Sequence, residues 1–256
     1  LELALGVLAG AGPLEAKAWR LELPAPRHAS LSDYRIGAWL DDADYPVDGA
    51  VKRVHADAIE KLRRAGASID ERARPPLRLR EAARTYQWLL MSLMASSLPP
   101  DSLESLRKLA ASARPDDDSE MIFTARTTTA QHHQWLAAHE QREALRAAFA
   151  EFFASYDALL LPVSQVAAIP HQQDGPFVTR TLTVNSATRP YTEMFGWIAP
   201  VTMCKLPATV VPAGRTAENL PVGLQIAAPY IEDRTTLDLG QRIAQVLGGF
   251  TPPPGF

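Results

Sequence analysis

Apolar residues recur every three or four positions from Val47 through Val51, Val54, Ala58 and Leu62 to Ala65, and this spacing predicts a helix with one buried face. Asp48 is placed to cap its start and Gly66 to end it in the left-handed conformation. Short apolar stretches flank it. Residues 34–40 read as a strand stopped by the acidic turn from Asp41 to Pro46, and residues 67–71 as a second strand. Strand, helix and strand in this order predict a β-α-β unit with parallel strands.

The pattern then turns helical from about Leu77 to Tyr156, divided at Pro99-Pro100 and at Arg114-Pro115, because a residue before proline avoids the helical region. Asp101 is expected to cap the helix after the first break. The last of these helices carries Trp135, His139, Leu145, Phe149, Phe152 and Tyr156 near one face, which reads as a core face. Continuous apolar runs at 158–163, 208–212 and 222–227 predict three buried strands. Asp233 is expected to cap a final helix with Leu237, Leu239, Ile243 and Val246 on or near its buried side. Residues 164–189 read as a long loop, and Gly248 to Phe256 as an extended tail. At the other end, the apolar helical run from Leu1 to Gly10 has no capping residue ahead of it, so it reads as a helix entered part-way.

Composition adds boundaries. The 256 residues are 46% apolar with a formal net charge of -3. That is ordinary for a globular α/β chain, and no basic stripe points to nucleic acid. A single cysteine, Cys204, excludes an internal disulfide. With no membrane-length apolar run and no signal peptide pattern, a cytoplasmic location is expected.

The chemistry-bearing residues are sparse. Ser96-Ser97 is the one adjacent serine pair, and it lies at a helix end without surrounding glycines. Lys108 and Lys205 have no serine partner in sequence. His132 and His139 share a helical face but stand two turns, about 10 Å, apart, too far for one metal ion. Asp116-Asp117-Asp118 lacks the rest of a calcium loop. No catalytic, metal or cofactor site is expected from these.

Three stretches carry a resemblance. The first runs from Leu31 to Gly37, with the helix start at Pro46-Val47-Asp48 and the helix end at Ala65-Gly66-Ala67. The second is Tyr156-Asp157-Ala158-Leu159-Leu160-Leu161-Pro162-Val163. The third joins Leu206-Pro207-Ala208-Thr209-Val210-Val211-Pro212-Ala213-Gly214 to the run from Leu220 to Ile226. In order and spacing they resemble the C-terminal half of the amidase signature family. Pro207 and Pro212 bracket a strand, and Gly223 is expected to admit another backbone closely.

The resemblance implies a mixed β-sheet flanked by helices, an incomplete amidase-signature fold in which residues 1–256 form the C-terminal portion of one domain. It implies hydrolysis of a carbon–nitrogen amide bond by acyl transfer, with a nucleophilic serine, a second serine in a cis peptide and a lysine, all in the family's N-terminal half. On this reading the isolated chain is inactive. Its partners are a small-molecule amide and an N-terminal half of the same fold, with neither nucleic acid nor membrane. Substrate-contacting residues are expected at Tyr191, Trp197, Thr202 and Cys204. The family pattern is departed from at Thr202, where Asn is frequent, and at Lys205, where Gly is frequent. The alternative is a non-catalytic partner or small-ligand-binding subunit.

Overall fold

A computed structural model describes residues 1–175 and 177–252. Its centre is a five-stranded mixed sheet of β1 (Arg35–Ala38), β2 (Ser68–Asp70), β3 (Ala158–Pro162), β6 (Ala208–Arg215) and β7 (Pro221–Ala227). The order across the sheet is β2-β1-β3-β7-β6. The three strands β2, β1 and β3 run parallel, whereas β3 with β7 and β7 with β6 are antiparallel. Ala158, Leu159, Leu160 and Leu161 are fully buried, as a central strand covered on both faces requires.

Two helices cover one face. In α2 (Gly49–Arg64), Val51, Val54, Ala58, Ile59 and Leu62 are buried. The side chain of Asp48 caps its start by accepting the Ala50 N–H at 2.9 Å. In α8 (Asp233–Leu247), Gly240 lets the sheet approach closely, since a β-carbon there would stand 2.9 Å from the Thr209 methyl. Leu159, in register with Gly37 and Ala227, belongs to the opposite face from Ile226. There Phe152 of α6 (His132–Ser155) fills the space above Gly37. The sandwich α2/α8, sheet, α6 is thus the flanked mixed sheet expected from the sequence.

Asp157 ties the N-terminal segment to this sheet. Its carboxylate accepts from the Arg35 N–H at 2.8 Å, from the Arg35 guanidinium at 2.9 and 3.2 Å, and from Arg27 at 3.0 Å. Burial opposes its ionisation, but these donors outweigh burial and hold the carboxyl well below the usual carboxylate range.

The remaining helices α3 (Leu79–Met94), α4 (Pro100–Ser112) and α5 (Glu120–Thr128) form a second layer against α6 and the short α7 (Ala199–Met203). A third break, between Thr129 and Gln131, separates α5 from α6 without a proline to announce it. Asp101 lies inside the first turn of α4, which starts at Pro100, so the residue before the helix is Pro99 and no side chain caps it. Asp233 likewise falls inside α8, whose preceding residue is Glu232. Both acids still complement the helix dipole from the first turn. Gly223 admits the side chains of Val210 and Val163, at 2.9 and 3.1 Å from a built β-carbon, and its nearest backbone neighbour is 3.9 Å away. The close approach is side chain to strand rather than backbone to backbone.

The expected loop at 164–189 contains a hairpin, β4 (Thr181–Val184) with β5 (Ala187–Pro190). Asn185 and Ser186 both adopt positive φ, 51° and 70°, which suits a tight two-residue hairpin turn. Asn185 docks on the start of α2: its N–H donates to Asp48 Oδ2 at 2.9 Å, and its own Oδ1 accepts the Gly49 N–H at 2.9 Å. Of the predicted tail, residues 253–256 lie outside the described residues.

The first helix, α1 (Glu2–Leu8), buries no residue. Leu3 is 84% exposed, Val7 78% and Leu8 82%, while Leu5 is half-buried. The sheet edge at β6 is open and presents Val210, 53% exposed.

Candidate functional site

Helix α3 forms because Leu79, Ala82, Ala83 and Thr85 line one buried stripe. Its second half, from Tyr86 to Met94, is only partly covered and walls two clefts. The first, of about 470 Å³, lies between α3, α6 and α7, lined by Leu89, Leu90, Trp135, Arg142, Thr202, Met203 and Lys205 among others. The second, of about 490 Å³, is almost wholly apolar and lies between α3, α4, α5 and residues 177–195. Met91, Met94, Leu106, Phe123, Phe177 and Phe195 supply its walls. Tyr86 and Leu90 border both clefts. Burial raises the Tyr86 phenol above its ordinary range, so the hydroxyl stays neutral and can donate. Volumes of this size suit single small-molecule ligands.

The first cleft holds the chemistry. Trp135 is stacked between His132 and His139, with centroids 6.3 and 5.4 Å away. The N-terminal part of α6 therefore presents its aromatic stripe to a half-open cleft, and only Leu145, Phe149, Phe152 and Phe153 of this helix are buried in the core. Arg142 donates through Nη2 to His139 Nδ1 at 2.5 Å. Its Nε is buried without a hydrogen-bond partner, and Glu143 stands 3.4 Å from it without hydrogen-bond geometry.

Lys205 enters from the end of α7. The Lys205 N–H donates to the Thr202 carbonyl and the Leu206 N–H to the Val201 carbonyl, each at 3.1 Å. This pair of bonds closes a helix with a left-handed residue, usually glycine. Lys205 takes that position at φ 59°.

The four residues expected to contact substrate do not converge. Thr202 is exposed and lines the first cleft. Tyr191 packs edge-on against Phe177 at 5.3 Å, one ring removed from the apolar cleft. Trp197 is fully buried; its Nε1 donates to the Tyr45 carbonyl at 3.0 Å and its ring meets Trp39 edge-on. Cys204 is fully buried beside a third cleft, of about 550 Å³, under α6, and burial pushes its thiol up to about 12. Sequence reasoning passed over Arg142, which sits among other charged helix residues and carries no local signature. The Lys205 geometry had a signal, since a position that favours glycine is a position that favours positive φ.

Among the described residues no group of three or more His, Cys, Asp or Glu side chains could hold a metal ion. Nor is any helix long and apolar enough to cross a membrane. The Ser96 hydroxyl donates to the Leu93 carbonyl at 2.8 Å, a helix-terminus bond.

These elements define a mixed-sheet α/β protein with ligand-sized clefts along helix α3. The amidase family model matches residues 4–237, and the chain belongs to that family. It is 26% identical to an amidase of Gibberella moniliformis, over 91% of this chain and 44% of that protein. It is 24% identical to a glutamyl-tRNA(Gln) amidotransferase subunit of an Exiguobacterium species, over 97% of this chain and 53% of the relative. Among solved structures, a bacterial aryl acylamidase of the amidase signature family superposes with a TM-score of 0.67 at 18% identity, covering 95% of this chain and 50% of that one. The glutamyl-tRNA(Gln) amidotransferase subunit of Thermotoga maritima gives 0.66 at 18% identity, over 95% and 49%. The chain spans about half the length of these relatives.

Proposed function

We propose that this chain is the C-terminal portion of an amidase that hydrolyses a carbon–nitrogen amide bond by serine acyl transfer. The observation that carries the reading is the family match over residues 4–237, on a chain that spans about half of its relatives. The serine–cis-serine–lysine group then belongs to an N-terminal portion, and these residues supply sheet, scaffold and substrate walls. The two clefts on α3 are the walls best suited to substrate, with Thr202 at the first and Tyr191 behind the second. The exposed apolar side of α1 and the open β6 edge are surfaces on which an N-terminal portion would settle.

The test is an amidase assay on the purified chain, alone and together with an N-terminal half carrying the two serines and the lysine. Turnover is expected only with both. Turnover by the chain alone, lost in Ser96→Ala, overturns the reading. A second reading, a small-ligand-binding subunit without catalysis, is favoured by one observation: the second cleft, of about 490 Å³, is lined almost wholly by apolar side chains. Ligand binding that persists with no gain of turnover on adding the N-terminal half supports it.

A further inference from the structure

We infer that the first cleft binds an organic carboxylate with an apolar body, the anion held by Arg142 and Lys205 and the body by Leu89, Leu90, Trp135 and Met203. Three observations lead there. Two cations line one cleft whose other walls are mostly apolar. Arg142 is only 17% exposed and its Nε has no hydrogen-bond partner. Glu143 at 3.4 Å and His139 at 2.5 Å already occupy the Nε–Nη2 side of the guanidinium, so Arg142 contributes to the cleft as a nearby positive charge, and the cleft pairs that charge and the Lys205 ammonium with apolar walls.

The third observation is the backbone at Lys205. A left-handed conformation disfavours every side chain with a β-carbon, and glycine relieves it. Lys205 nonetheless stands there, and among the described residues its side chain forms no ion pair. Strain kept at a cleft-lining cation points to use of that cation. Glu143 offsets part of the Arg142 charge, but it does not line this cleft. The cleft, of about 470 Å³, has room for an aryl or short alkyl body beside the carboxylate. A neutral amide of the same shape would leave Lys205 without a counter-charge.

The test uses the 256-residue chain, 4-phenylbutyrate as the probe, and 4-phenylbutyramide as its neutral isostere. It reads titration calorimetry, tryptophan fluorescence and a thermal melt, so it needs no turnover and stands apart from the amide-hydrolysis reading. The acid is expected to bind at least about tenfold more tightly than the amide, an advantage that shrinks as salt is raised. Lys205→Gly is expected to weaken acid binding about tenfold while raising the melting temperature, so that unfolding cannot explain the loss. Arg142→Gln should weaken it similarly, and Lys205→Arg should restore it. Equal affinity for acid and amide, or undiminished acid binding in Lys205→Gly, overturns the inference. An affinity loss in Lys205→Gly that comes with a lower melting temperature overturns it as well.

Discussion

The sheet layer and the α3–α5 layer bury their apolar residues differently. In the sheet, Leu159, Leu160 and Leu161 are fully enclosed between α2 and α8 on one side and α6 on the other. In the second layer, Tyr86, Leu89, Leu90 and Met91 are only half-buried and face clefts. The same contrast appears at two helix ends. Helix α2 closes with Gly66 N–H to the Arg63 carbonyl and Ala67 N–H to the Leu62 carbonyl, with Gly66 at φ 95°. Helix α7 closes with the same pair of bonds around Lys205. At the sheet the residue agrees with the backbone; beside the cleft it does not. One layer encloses its apolar residues, and the other leaves apolar surface uncovered beside a residue in a strained conformation.

The largest expected effect tests the packing contrast. Leu160→Ala is expected to destabilise the fold by about 4 kcal/mol, because an enclosed strand cannot collapse around the void. Leu90→Ala, whose side chain already borders open space, should cost about 1 kcal/mol. Denaturant melts of both variants decide it, and equal losses would erase the distinction between the layers.

Next comes the anchor at the sheet. Asp157→Asn is expected to cost about 2 kcal/mol, since it weakens the charge-assisted hydrogen bonds from the Arg35 N–H and guanidinium to a side chain that is 2% exposed, while Arg35 stays half exposed and Arg27 keeps Glu232. The pH dependence follows from its lowered carboxyl. The folded value lies below the ordinary 3.8, so the contribution of Asp157 is complete above about 3.8 and is lost as the pH falls through the folded value. The Asn variant should therefore lose part of the parent's acid sensitivity. His55 has the same sense at higher pH. Burial lowers its pKa below the ordinary 6.5, so its neutral form favours the fold above that value and stability falls as the pH drops below it.

Legibility in the sequence follows the same division. The β-α-β unit, the three later strands and the ends of α2 were readable from apolar runs, cap and glycine. But β6, expected to be buried like β3, is an edge strand with Ala208, Val210 and Pro212 exposed, because among the described residues no element covers its second face there. The β4–β5 hairpin was hidden by its turn, since Asn185-Ser186 is a weaker signal than Asn-Gly although both residues take positive φ. The helix caps shifted, by two residues at α4 and by one at α8, where a proline or a second acid offered a competing start. For the site, Thr202 was placed at a cleft, whereas Trp197 and Cys204 lie in the core. Aromatic and cysteine residues suit core and pocket alike, so residue type alone does not separate the two. Arg142 and Trp135 of α6 come to line one cleft with Thr202 of α7 because both helices pack on α3, which no local pattern encodes.

The two helix ends give the next comparison. Gly66→Lys is expected to lose about 1 kcal/mol, because it places a β-carbon at positive φ where nothing offsets the strain. The space itself is open, with the nearest atom 3.9 Å from a built β-carbon. Lys205→Gly should gain a similar amount, about 1 kcal/mol. Opposite signs in thermal melts sustain the contrast. A loss at both sites would show that the Lys205 side chain supports the fold.

The smallest expected effect concerns Ser96 and Ser97, the adjacent pair that sequence reading singled out. Both are exposed, and they follow α3 in a single tight turn before Pro99. The Ser96 hydroxyl closes a local bond to the Leu93 carbonyl, so it is engaged with the helix end. Removing one exposed local bond on a surface turn changes stability by no more than about 0.5 kcal/mol. Ser96→Ala and Ser97→Ala should therefore melt with the parent, and should match its turnover when the N-terminal half is supplied. They also lie outside the first cleft, so phenylbutyrate binding should be unchanged. A loss of turnover at an unchanged melting temperature would place a reacting group on the cleft-bearing layer. The division between a scaffold that only binds and an N-terminal portion that reacts would then fail.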